Sequence, residues 1–151
     1  MGYEELLIEA YKLDIDVKEK PLKSTNGLCV GNRIAIEDKL SNNEKHCTLA
    51  EEMGHYKLTV GNITDQTKLE NRKQEIVARR WGYEKLVGVM DLIKAYEHGC
   101  WSRYEIAEYL NVTEEFLDNV LNYYSCRYPD GCSIDRYWLD FDNGLNIFKK
   151  Y

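Results

Sequence analysis

Long apolar runs are missing from these 151 residues. Crossing a membrane as a helix takes about 20 consecutive apolar residues, so no such span is expected. The N-terminus, Met1-Gly2-Tyr3-Glu4-Glu5, lacks the basic and then apolar pattern of a secretory leader. The Cys-x-x-Cys pair of a zinc ribbon does not occur. The five cysteines (Cys29, Cys47, Cys100, Cys126 and Cys132) are odd in number, which argues against a disulfide framework. A reducing cytoplasm is the expected setting. Positive charge is in deficit: the net charge is -6 and the sequence pI ≈ 5.2, which disfavours nonspecific contact with nucleic acid. With no internal repeat, low-complexity tract or interdomain linker, residues 1–151 are expected to form a single domain.

Hydrophobic residues make up 44% and charged residues 30% of the chain, a balance that suits a globular core of ordinary size. Tyr3 to Leu13 carries Leu6, Leu7, Ala10 and Leu13 at helical spacing. Asp14 to Thr25 is polar, contains Pro21 and reads as a connection. Gly27-Leu28-Cys29-Val30 and Arg33-Ile34-Ala35-Ile36 flank Gly31-Asn32, the signature of a β-hairpin. Ser41-Asn42-Asn43-Glu44 is a capping box, so a helix begins near Asn42, with Gly61 suited to its C-terminal end. Asn62 to Gln66 is turn-like, and Thr67-Lys68-Leu69-Glu70 is a second capping box, opening a helix to about Leu86 that Gly88 ends. Asp91 to Glu97 gives further helical turns, stopped by Gly99. Near the C-terminus, Tyr137 to Phe141 and Leu145 to Phe148 flank Asp142-Asn143-Gly144, a second hairpin.

The chemistry concentrates in Leu49-Ala50-Glu51-Glu52-Met53-Gly54-His55-Tyr56. The His-Glu-x-x-His motif of zincin proteases places two metal ligands on one helical face beside a general-base Glu. Here Glu51 stands where the first His would be. Glu51 and His55 are four apart and share a face, and Glu52 flanks it. One carboxylate and one imidazole can thus converge on a cation while a second carboxylate reaches a water. The competing reading is a solvated helix that happens to carry these groups. The hairpin upstream suits a sheet edge that holds an extended peptide by strand addition, and equally a hairpin that only covers the helix.

A catalytic zinc site generally needs a third protein ligand. Glu75, on the next capped helix, is the candidate, against the alternative of a surface pair with Arg79 one turn on. His46 lies nine residues before His55, on the opposite face at about 100° per residue, and is rejected. Cys47 shares the face of Glu51 but suits a buried thiol better, and His98 reads as a surface residue.

Ser102 to Tyr124 has the outline of a helix-turn-helix. Its single base, Arg103, faces Glu105, Glu108, Glu114, Glu115 and Asp118, so the second helix would repel phosphates and structural packing is favoured over DNA readout.

With Leu49 to Tyr56, Glu75-x-x-Ala78-x-x-Trp81 and the segment Tyr104 to Tyr123 in view, the chain resembles the ImmA/IrrE-type metallopeptidases of phages and integrative elements. The resemblance implies that His55 and Glu75 bind metal and that Glu52 is the general base. It also implies an antirepressor role, in which a helix-turn-helix repressor is cleaved. The departures are Glu51 in place of a histidine, and Val87-Gly88 where the family has a proline. Two carboxylates and one imidazole make a more anionic site, with weaker preference for zinc and more tolerance of manganese or iron.

The expected fold is therefore α+β, a mainly helical zincin-like domain with small β-hairpins. The expected function is that of a cytoplasmic zinc-dependent metalloendopeptidase acting on a repressor, with Glu51, His55 and Glu75 as metal ligands and Glu52 as catalytic base. The alternative is a non-catalytic relative that regulates a repressor by binding. Neither nucleic acid nor a membrane is expected as a direct partner.

Overall fold

The helical spacing at the N-terminus forms α1 (Tyr3–Lys12) in the computed structural model, which describes residues 1–59 and 68–150. Leu6 and Ala10, four apart, are fully buried on one side of α1. The segment read as a polar connection contains instead a strand, β1 (Asp16–Lys20). Only Val17 in it is apolar, because β1 is an edge strand with four of its five residues exposed. Its ladder is satisfied by parallel pairing with β3, from Asp16 opposite Arg33 to Lys20 opposite Glu37.

The hairpin forms as expected: β2 (Gly27–Val30) and β3 (Arg33–Glu37) pair antiparallel, with Gly31 at φ +60° in the turn, a conformation glycine adopts without strain. The sheet order is β1-β3-β2. Ile34 and Ile36 of β3 are buried, and the sheet packs against α2 (Asn42–Thr59).

The start of α2 is fixed by the expected capping box. Ser41 N–H donates to Glu44 Oε1 at 3.2 Å and Glu44 N–H to Ser41 Oγ at 3.2 Å. Leu49, Ala50 and Met53 are buried. α2 lies at the centre of this part of the chain, touching α1, β2, β3 and α3 (Lys68–Leu86). The expected cap at Gly61, the turn at 62–66 and the second capping box at Thr67 fall at or beyond the edge of the described residues.

By contacts the chain falls into two units, Met1–Leu86 and Val87–Tyr151. The second unit holds α4 (Val89–Glu97), α5 (Arg103–Leu110), α6 (Glu114–Arg127) and an antiparallel sheet in the order β4-β5-β6, with β4 at Cys132–Ile134, β5 at Tyr137–Asp140 and β6 at Asn146–Lys149. Gly88 caps the start of α4, where its N–H donates to Asp91 Oδ2 at 2.9 Å. Ser102 and Thr113 cap α5 and α6. Asn111, at φ 59°, makes the tight turn between those two helices. Arg103 is engaged by Glu114 at 3.7 Å and by Asp118 at 3.1 Å. The expected second hairpin is β5–β6, with Asn143 and Gly144 both at positive φ, and β4 adds a strand too short to be read from its three residues. The fold is α+β and mainly helical, with two small three-stranded sheets among the described residues. No helix among them is long and apolar enough to cross a membrane.

Candidate metal centre

The site lies where α2 meets α3, inside the first unit. The two helices approach backbone to backbone. A Cβ added at Gly54 would lie 2.4 Å from the carbonyl oxygen of Ala78, so only glycine allows this approach. Ala78 is fully buried. Further along, the Lys57 ammonium lies 5.9 Å from the centre of the Trp81 ring, a cation–π contact that also ties α2 to α3.

This contact carries Glu75 to the metal-motif face. His55 Nε2 is 3.4 Å from Glu75 Oε2. Glu51, His55 and Glu75 each offer one ligand atom, and these atoms all lie within 4.8 Å of one another. His46 and Cys47, both buried, do not join this cluster. His98, in the second unit, lies against the ring of Tyr109 with centroids 4.7 Å apart.

Glu52 occupies the adjoining face of α2, beneath β2. A Cβ on Gly27 would come within 2.9 Å of Glu52 Cγ and 2.6 Å of Thr48 Cγ2. Glycine at this strand position therefore lets the sheet settle onto the helix. Burial, and then the neighbouring charges of Glu51 and Glu75, push the Glu52 carboxyl up to about 7. A carboxyl so placed exchanges its proton near neutrality, which suits a general base. Cys29, two residues along β2 from Gly27, has its thiol pushed up to about 11 by burial and by the charge of Glu52.

The alternative pairing of Arg79 with Glu75, one turn away, does not form. Arg79 Nε lies 3.3 Å from Glu51 Oε1 on the facing helix. Glu75 turns to His55 instead. Tyr83, a further turn along α3, is held above its usual range chiefly by burial, with the charge of Arg79 opposing and that of Glu51 reinforcing the shift. Sequence reasoning placed Gly27 and Cys29 in the peptide-holding hairpin but did not bring them against Glu52, and it did not bring Arg79 to Glu51. Periodicity along one element does not report which side chains meet across two.

The donor set suits a divalent cation: two carboxylates and an imidazole converge, and a third carboxyl stands beside them. A family model described as the IrrE N-terminal-like domain of the M78 peptidases matches residues 4–122. The chain belongs to the M78 peptidase family. Comparison with curated proteins gives no match. For an M78 peptidase, a metallopeptidase-type function and a Glu51/His55/Glu75 cluster are consistent with one another. The match begins in α1 and ends within α6, so it takes in the whole candidate site.

Proposed function

We propose that this M78 peptidase is a metal-dependent endopeptidase whose ion is held by Glu51, His55 and Glu75, with Glu52 as general base. The observation that supports it most is the convergence of three ligand atoms within 4.8 Å beside a carboxyl poised near neutrality. Zinc held there, or manganese or iron, would act as a Lewis acid on the scissile carbonyl and on the attacking water. Glu52 takes a proton from that water as its oxygen attacks, and then delivers it to the leaving amine. β2 is an outer strand of its sheet, and an extended substrate can pair along its open edge. Gly27 keeps that strand close to Glu52.

The substrate in this reading is a regulatory protein of the cytoplasm, a helix-turn-helix repressor of a phage or mobile element, as the resemblance to ImmA/IrrE-type antirepressors implies. A second reading is a protein that regulates such a repressor by binding without cleavage. Glu51 in place of the motif's first histidine favours it, because an extra carboxylate weakens the preference for zinc.

Co-expression with a repressor encoded nearby, followed by metal analysis of the purified protein, tests the two. The first reading expects bound divalent metal and a cleaved repressor, with Glu52→Gln cutting at least about 100-fold more slowly while fold and metal content stay intact. Cleavage by the Glu52→Gln variant at the wild-type rate would remove Glu52 from the mechanism. Derepression with an intact repressor would establish the binding reading.

A further inference from the structure

Resting on the metal-centre reading, we propose that Arg79 is a positioning residue that makes Glu51 usable as a ligand, so that the Glu51–Arg79 pair stands in for a neutral imidazole. Three observations lead there. Glu51 brings a negative charge to the position where the zincin motif has an uncharged ring. Its carboxylate meets Arg79 Nε from the facing helix at 3.3 Å. Arg79 is not taken by Glu75, its partner one turn away on the same helix, because Glu75 faces His55 at 3.4 Å.

Charge counting shows what the pair does. With a dication, two carboxylates and two imidazoles the centre is neutral. Replacing one imidazole by Glu51 leaves a net charge of -1, and the guanidinium returns it to zero. Geometry gives the second effect. A carboxylate has two oxygens. With a guanidinium on Oε1, the rotamer of Glu51 is restrained and its second oxygen is left for the ion, the role that outer hydrogen-bond partners play for metal ligands generally. The exposed position of the pair makes its own contribution to folding small, which leaves orientation and charge as its effects.

The inference separates the roles of the two residues in a way a surface ion pair would not. Beside Glu51, Arg79 both repels the ion and orients a ligand. Beside a histidine at position 51, it only repels. Zinc dissociation constants, measured by competition with a chromophoric chelator, therefore need four proteins: wild type, Arg79→Gln, Glu51→His and the double variant.

Removing Arg79 should tighten zinc binding in the Glu51→His background by about tenfold more than in the wild-type background. Arg79→Lys should fall between wild type and Arg79→Gln, since lysine keeps the charge and loses the planar fork. Equal factors in the two backgrounds would overturn the inference and leave the metal centre standing. Failure of all four proteins to bind zinc would overturn both. Arg79 is 55% exposed at its side chain, so these variants keep the fold, and far-ultraviolet circular dichroism verifies it.

Discussion

Glu52 is a largely buried carboxyl set among other carboxyls. It is pressed under β2 and faces the charges of Glu51 and Glu75. Its carboxyl binds a proton up to about 7, against 4.5 for the unperturbed group. In the metal-free protein the folded state is thus the stronger proton binder between those values. Stability is fullest below pH 4.5 as far as this group is concerned, and it falls as pH rises to about 7, by up to about 3 kcal/mol. Urea titrations of metal-free protein near pH 5 and near pH 8 should show this loss, and Glu52→Gln should remove most of it. Saturating zinc should remove it as well, since a nearby dication favours the ionised form. An unchanged pH dependence in Glu52→Gln would mean the carboxyl is better solvated than its position implies. At this scale Glu51, His55 and Glu75 were legible from the sequence, because a four-residue spacing fixes a helical face and the family resemblance supplied the third group. The partner of Arg79 was not. It depends on the rotation of α3 against α2, which packing sets at Gly54 and Ala78.

Among the elements, the contact of α2 with α3 decides whether the ligands meet. Gly54→Ala would force a methyl group against the backbone oxygen of Ala78, where the gap is 2.4 Å, and the helices must part. A stability loss of about 1–3 kcal/mol or more is expected, together with weakened zinc binding as Glu75 draws away from His55. Gly82→Ala is the matched control. Its Cβ would meet the α2 backbone at 3.4 Å, an ordinary contact, and alanine is the better helix former by about 1 kcal/mol, so stability should hold or rise. Thermal unfolding and zinc titration of the two variants check both statements, and equal behaviour would show that the helix contact is not tight. The capped start of α2 and the two hairpins were legible because Ser41, Glu44, Gly31 and Asn143-Gly144 act locally. β1 and β4 were not. Asp16–Lys20 is a strand because β3 lies alongside it, and nothing in Asp-Val-Lys-Glu-Lys announces that neighbour.

For the molecule as a whole, the candidate site is confined to the unit Met1–Leu86, while the family match continues to residue 122. The helix pair α5–α6 in the second unit has the outline of a DNA reader, and its charges tell against that use. Arg103 is occupied by Glu114 and Asp118, and the first turn of α6 carries one further acidic residue, Glu115. Duplex DNA should therefore show no mobility shift with this protein even at about 50 mM salt, where phosphate contacts are strongest. A shift that weakens steeply with salt would reverse this expectation.

The touching backbones at Gly54 and Ala78 also have a mechanical consequence. His55 is one residue from this point along α2, and Glu75 is three from it along α3. At a rise of about 1.5 Å per residue they sit roughly 1.5 and 4.5 Å from the fulcrum. Rocking the helices by about 10° around it would displace the nearer group by a few tenths of an ångström and the farther one by under about 1 Å, whereas residues two turns out would swing by about 2 Å. The helix pair is thus a lever with the chemistry at its hinge. Such rocking would move the outer ends most and leave the distance between His55 and Glu75 nearly fixed.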